Sequence, residues 1–312
     1  MDRIKIAKTD LLVSPICLGG CPLGGYGWGD VQRGELIDTV RTAYDNGINF
    51  FDTADTYGLG ESERLIAEAL GKDKNDAVIA TKFGVRVEGG KTTYDNSREY
   101  IFEAAEASLE RLGRDYIDIY QVHYRDGVTP LADVIESLER LREAGKIRYY
   151  GLSNISHKDM EELVAIGTNP FVSFQNEYSL ACRKNEDDML KFRDEFLMTP
   201  LTWGSLGQGI LSGKYDKNCH FEKNDRRSRE IYVNFHGDKL IKNLEIVEEM
   251  KKIAERMGKP VSTVAIRWIL DYLHGSVVIA GAKTSAQVLQ NIEASDWKLS
   301  TDEINLLERI SR

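Results

Sequence analysis

Eight short apolar runs, each followed by a segment with helical spacing, predict an α/β fold closed into a (β/α)8 barrel, the TIM-barrel architecture. Strict alternation of strand and helix implies a parallel sheet with right-handed crossovers. Eight such units suit a closed barrel better than an open, doubly wound sheet. No Pro/Ser/Gly-rich linker or low-complexity tract divides the 312 residues, so 1–312 is expected to be one domain.

The expected strands are "PICLG" (15–19), "NFFDT" (49–53), "AVIATKF" (77–83), "YIDIYQVH" (116–123), "IRYYGLSN" (147–154), "FVSFQ" (171–175), "TPLTW" (199–203) and "SVVIAG" (276–281). Between them, "REYIFEAAEASLERLG" (98–113) sets Ile101, Ala105, Leu109 and Leu112 on one helical face. Start signals agree with this division. Thr129 precedes Pro130 at an expected first helical position, and Ser156 with Asp159, like Ser300 with Glu303, fits a capping box. Gly113 and Gly145 stand where C-terminal caps belong. Residues 1–14 read as an N-terminal β-hairpin, with "KTDL" at its turn, that plugs the barrel bottom. Outside the repeat lie a polar insert, 213–238, an extra helix to about Gly258, and a last helix after Trp297.

Composition narrows the function. Hydrophobic content of 42% beside 29% charged residues is globular, and 41 Lys and Arg against 50 Asp and Glu give a net charge of −9. That balance argues against nucleic acid or an anionic membrane surface as partner. The N-terminus lacks the apolar core of a signal peptide, and no run nears the ~20 apolar residues of a membrane span. Cys17, Cys21, Cys182 and Cys219 are too few and scattered for a disulfide scaffold or a metal set, and read as reduced thiols of a cytoplasmic protein.

The chemistry of a barrel sits at the C-terminal ends of its strands. Three successive strands end on ionisable groups after apolar runs: Asp52, Lys82 and His123. A buried strand ends this way at a large cost unless the group is paired or used. Tyr57, five residues beyond Asp52 in a glycine-flanked loop, completes the set. A phenol with a pKa near 10 is a poor acid at neutral pH. The Lys82 ammonium is expected to lower that pKa, and Asp52 to hold the amine in place. With His123 donating to a substrate oxygen, Tyr57 is the candidate proton donor to a carbonyl. There is no GxGxxG after a first strand, no phosphate loop and no Ser-His-Asp array, so a hydride donor bound in another way is the natural partner.

"GINFFDTADTYGLGESERLIAEAL", "IATKFG", "YIDIYQVHYRD", "GKIRYYGLSN", "FQNEYS", "GQGILSGKY" and "AGAKTSAQVLQNIEA" together resemble the aldo-keto reductase superfamily, in the expected order from about residue 4 to 310. The resemblance implies a barrel binding NAD(P)H in an extended pose, with direct hydride transfer to a carbonyl. Asp52, Tyr57, Lys82 and His123 match the family's catalytic tetrad. Ser153, Asn154 and Gln175 match residues that hold the nicotinamide carboxamide, and Trp203 stands for an aromatic, often Tyr, that stacks on its ring. Gly20, Cys21, Asp52, Gly204, Leu206 and Gly207 also fall in the implied cofactor set. Gly281, Lys283, Thr284, Gln287, Gln290 and Asn291 match the segment gripping the adenosine end. Lys283 lies where members meet the ribose 2′-phosphate, so NADP(H) is expected to be preferred, with NAD(H) as the other possibility.

Some positions depart from the pattern. Tyr124 replaces a frequent Trp, "TWGSLGQG" replaces "YSPLAQG" and so lacks a hydroxyl at Gly204, and Gln290 replaces a frequent acid. The chain ends soon after its last helix, without the long C-terminal loop of some members. Substrate contacts are expected from Tyr26, Trp28, Tyr124 and Arg125, with the insert overhanging them. Arg125 and "DRRSR" (225–229) are read as clamping either the cofactor diphosphate or a polar substrate. The implied activity is NADP-dependent reduction of small aldehydes, ketones or sugar-derived carbonyls, or oxidation of the alcohols. Two other readings stand beside it: a cofactor-binding regulatory protein with little turnover, and a Schiff-base aldolase using Lys82.

Overall fold

A computed structural model describes residues 1–312. The chain opens with β1 (Ile4–Lys5) and β2 (Leu12–Val13) and enters the barrel at β3 (Ile16–Gly19). There follow α1 (Arg33–Asp45), β4 (Phe50–Asp52), α2 (Glu61–Leu70) and β5 (Val78–Phe83). A small hairpin, β6 (Val85–Glu88) and β7 (Lys91–Tyr94), comes before α3 (Arg98–Leu112). The repeat resumes with β8 (Ile117–Val122), α4 (Leu131–Glu143), β9 (Ile147–Ser153), α5 (His157–Ile166), β10 (Ser173–Glu177), α6 (Glu186–Phe196) and β11 (Thr199–Trp203). The chain ends with α7 (Gly237–Met257), α8 (Val261–Tyr272), β12 (Val277–Gly281), α9 (Ser285–Ile292) and α10 (Thr301–Ser311).

Eight of these strands close in the order β10-β11-β12-β3-β4-β5-β8-β9, every neighbouring pair parallel. All eight expected strands are there. The barrel lumen is a packed core of Cys17, Phe50, Val78, Ala80, Ile119, Leu201, Val277 and Ile279. Ile6, Leu11 and Val13 of the N-terminal hairpin belong to the same cluster and seal the bottom, as expected. The larger core lies between strands and helices and includes Ile101, Ala105, Leu109 and Leu112.

Both capping boxes form, at Ser156–Asp159 and Ser300–Glu303. Gly113 caps α3 in the left-handed region. Pro130 departs from expectation: it is the residue before α4, not its first helical residue. The Thr129 hydroxyl donates to Asp126, and the Leu131 amide is satisfied by Glu162 from α5. The β6–β7 hairpin was not expected. Its two-residue turn, Gly89–Gly90 with φ of 56° and 76°, suits the right-handed twist of paired strands.

Side chains alternate across a strand with a period of two. On β4 the inward series runs Phe50, Asp52; on β5 it runs Val78, Ala80, Lys82; on β8 it runs Ile119, Gln121 and then His123. Each series starts in the apolar lumen and ends on a polar group at the top. This alternation, continued past the sealed core, is what builds the site.

Candidate active site

At the top of the barrel a cavity of about 1260 Å³ is lined by Asp52, Tyr57, His123, Tyr124, Ser153, Asn154, Gln175, Glu177 and Trp203, among others. Its floor is an ion pair. Lys82, fully buried, donates from Nζ to Asp52 Oδ1 at 2.6 Å and to the Thr53 carbonyl at 2.8 Å. Asp52 Oδ2 accepts from Gln121 Nε2 at 3.0 Å and Gln175 Nε2 at 2.8 Å. A buried charge pair is tolerated only when its remaining lone pairs and protons are satisfied. Here the two amides do that.

Tyr57 reaches over this floor from the loop after β4. Close backbone approach fixes the loop: a Cβ on Gly24 would lie 2.6 Å from the Tyr57 carbonyl carbon, so glycine is required there. The Lys82 ammonium is 5.1 Å from the centre of the Tyr57 ring, and the His123 ring meets Tyr57 edge-on at 5.9 Å. The four expected groups are therefore together. The electrostatics differ from expectation. Burial, followed by Cys21 and Asp52, pushes the Tyr57 phenol well above its ordinary pKa, so the nearby ammonium does not make it a stronger acid. The group is a phenol at neutral pH. Burial, then the Lys82 charge, pushes His123 well below the usual histidine range, so its ring is neutral.

On the far wall, the Ser153 hydroxyl donates to the Gln175 carbonyl, and Asn154, at φ 53°, donates to the His123 carbonyl at 3.0 Å. Asn is among the few residues that tolerate this left-handed conformation. Gln175 Oε1 has no protein partner. Cys21, Gly20, Gly204, Leu206, Gly281, Lys283, Gln287, Gln290 and Asn291 also line the cavity. Gly207 and Thr284 do not: Gly207 forms a tight turn against Ile210 and Ala181, and Thr284 caps α9 by accepting from the Gln287 amide.

The expected substrate residues divide. Trp28 and Tyr124 line the cavity. Tyr26 is 66% exposed and is not part of the cavity lining; its carbonyl accepts from Arg226. Arg125 also leaves the set, since its guanidinium reaches Asp159 and Glu162 of α5 and the Thr129 carbonyl. Both positions are in loops, where no periodicity tells a side chain's direction.

The insert folds over one end of the cavity. Trp28 bridges to Asp225, Arg226 lies 5.1 Å over the Trp28 ring, and Lys283 Nζ donates to the Trp28 carbonyl at 2.8 Å. Lys214, Arg226, Arg227 and Lys283 all line this end, where Asp225 is bound by Arg227. Burial and then the charges of Arg227 and Lys214 push Lys283 below the usual lysine range. Positive charge is thus concentrated at this end in a chain of net charge −9. Glu177 and Lys214 in the wall, and Gln121 buried beneath it against Asp52, are additions to the expected set. Gln121 and Glu177 continue the inward series of β8 and β10, so the period of two was the available signal.

Comparison with known proteins agrees with this geometry. The family model described as "Aldo/keto reductase family" matches residues 15–312. The NADH-specific methylglyoxal reductase of Escherichia coli strain K12 is 30% identical, the match covering 100% of this chain and 98% of that protein. The glycerol dehydrogenase AKR11B4 of Gluconobacter oxydans superposes with a TM-score of 0.90 at 32% identity, over 99% of this chain and 94% of that one. An aldo/keto reductase from Klebsiella pneumoniae, solved with NADP and acetate, superposes with a TM-score of 0.75 at 25% identity, over 100% of this chain and 96% of that one. A barrel whose strand ends bring Asp52, Tyr57, Lys82 and His123 to one cavity, in a chain so matched along its length, belongs to the aldo/keto reductase family.

Proposed function

We propose that this oxidoreductase reduces small aldehydes and ketones, or oxidises the corresponding alcohols, with NADP(H) preferred and NAD(H) as the weaker cofactor. The observation that carries the reading is the Tyr57–His123–Lys82–Asp52 arrangement at the cavity floor. A nicotinamide dinucleotide held in this cavity would supply the hydride for the carbonyl carbon. Tyr57 gives its phenolic proton to the carbonyl oxygen as the C–O bond becomes single, and the resulting tyrosinate lies by the Lys82 ammonium. Neutral His123 orients the same oxygen by a hydrogen bond. Asp52 keeps the ammonium in place through the 2.6 Å contact.

The residues of the cavity fit the cofactor. Gln175 Oε1, Ser153 and Asn154 would hold a carboxamide, Trp203 would stack on a flat ring, and the Lys214–Arg226–Arg227–Lys283 cluster would meet phosphates. Lys283 as the 2′-phosphate contact is the basis of the NADP(H) preference, through a charge-assisted hydrogen bond. The NADP-bound Klebsiella structure and the NADH-specific Escherichia coli reductase show that relatives take either cofactor. Lys82 bonds to both Asp52 and Thr53 at zero exposure, which disfavours a free amine for Schiff-base chemistry. The four cysteines are free thiols, which supports a reducing compartment such as the cytoplasm, and no helix is long and apolar enough to cross a membrane. Following NADPH and NADH oxidation with a panel of carbonyls tests the reading; no turnover with any of them leaves the cofactor-binding regulatory role.

A further inference from the structure

Glu177 is an ionisable group in the cavity that the proposed proton and hydride transfers do not use. It is the last residue of β10, two places beyond Gln175 on the same inward face, and pairs in register with Trp203. Its side chain is 16% exposed. One carboxylate oxygen accepts from Gln208 Nε2 at 3.3 Å and the other meets Lys184 Nζ at 3.2 Å. The Cys182 thiol also lies by the carboxylate, but Lys184 is itself 68% exposed and a carboxylate has about four acceptor sites, so capacity remains for a ligand.

The neighbouring backbone is adapted to this acid. Gly204, at φ +66°, has its missing Cβ position 3.2 Å from Glu177 Cγ, so a side chain there would push against the carboxylate stem. The hydroxyl that the sequence lacks at 204 leaves room beside Trp203 for Glu177. Tyr124 and Tyr232 line the same cavity. Tyr124 stacks on His123 at 5.1 Å and meets Tyr94 of the β6–β7 hairpin at 5.5 Å. Burial, then the charges of Tyr94, Glu177 and Tyr232, raises the Tyr124 phenol above its ordinary pKa.

The free lone pairs of Glu177 suit a ligand that brings hydroxyl donors. A compound rich in hydroxyl groups gives its O–H protons to Glu177 and lays its C–H face on the Tyr124 ring. Resting on the carbonyl-reductase reading above, we propose that Glu177 determines specificity for substrates with hydroxyl groups beside the carbonyl, polyols being the substrates of the reverse reaction. A site built to bond a hydroxyl discriminates against the analogue without it, because its polar group is then left unpaired.

The test compares glyceraldehyde with propanal, equal in carbon number, using wild type, Glu177→Gln and Lys184→Met. The ratio of kcat/KM for glyceraldehyde to that for propanal is expected to favour glyceraldehyde and to fall about ten-fold or more in Glu177→Gln, the scale of a hydrogen bond to a charged acceptor. Lys184→Met, which removes the same ion pair from its other side, is expected to keep the preference. An unchanged ratio in Glu177→Gln, or an equal loss in Lys184→Met, overturns the proposal. If wild type reduces neither aldehyde, the carbonyl-reductase reading fails on its own. Saturation-transfer NMR of glycerol on NADP⁺-loaded protein then still reads Glu177: a signal lost in Glu177→Gln supports the role, and one unchanged refutes it.

Discussion

Lys82 Nζ and Asp52 Oδ1 are 2.6 Å apart at the sealed floor of the cavity, and Asp52 also receives two amide hydrogen bonds. The pair is thus both a structural device and the electrostatic support of Tyr57. Removing one partner of a buried pair costs roughly 3–5 kcal/mol, because the other charge is left alone. Lys82→Met is therefore expected to lower the thermal midpoint and to abolish turnover. Asp52→Asn keeps the shape and the amine and is expected to be milder in both. Thermal melts with steady-state assays check this; greater damage to turnover in Asp52→Asn would give the acid a direct chemical role.

The proposed NADP(H) preference rests on one cation, Lys283. Lys283→Ala is expected to weaken NADP(H) by roughly ten-fold while changing NAD(H) little, the scale of a hydrogen bond to a charged group. Fluorescence titration of both cofactors measures it. Equal weakening of both would assign Lys283 instead to its bond with the Trp28 carbonyl, which ties the loop after β3 to the cavity rim.

Asp55 gives a stability signal separate from catalysis. Its Oδ1 is buried without a partner, and burial, then Glu63, raises its pKa from 3.8 to about 7. A carboxyl with a raised folded-state pKa binds its proton more tightly when folded, so stability falls as pH rises from about 4 to 7. Asp55→Asn removes the burden, by up to about 4 kcal/mol at full ionisation. The variant's gain in thermal midpoint over wild type is expected to be larger at pH 8 than at pH 5. A gain that does not change with pH would show that Asp55 does not titrate in this range.

The same reasoning sets the pH profile of the chemical step. Tyr57 is raised from 10.0 and His123 lowered from 6.5, so the phenol stays protonated and the imidazole neutral between those limits. Single-turnover reduction is expected to be flat from about pH 7 to 10. A step falling with a midpoint near 8 would mean that Lys82 does depress the phenol.

Much of the fold and of the tetrad is legible in the sequence alone. Strand-end chemistry is written plainly: a strand that runs Phe50-Phe51-Asp52, or Val78 to Lys82, shows where the apolar lumen stops. Glu177 is not legible there because the sixth apolar run ends at Gln175, two residues short of the strand's end. Arg125 and Tyr26 were placed in the pocket because loops have no period, and their hydrogen bonds to α5 and to Arg226 depend on tertiary contacts. The expected depression of the Tyr57 pKa failed for a related reason: sequence places a charge nearby but does not measure burial.

The central claim is that Tyr57 is the proton donor. Tyr57→Phe keeps the ring over Lys82 and removes only the hydroxyl. General acid catalysis contributes about 10²–10⁴-fold, so kcat for carbonyl reduction is expected to fall by that factor while NADPH affinity stays at its wild-type value. A variant that keeps more than about a tenth of wild-type kcat, well outside that range, would contradict the account.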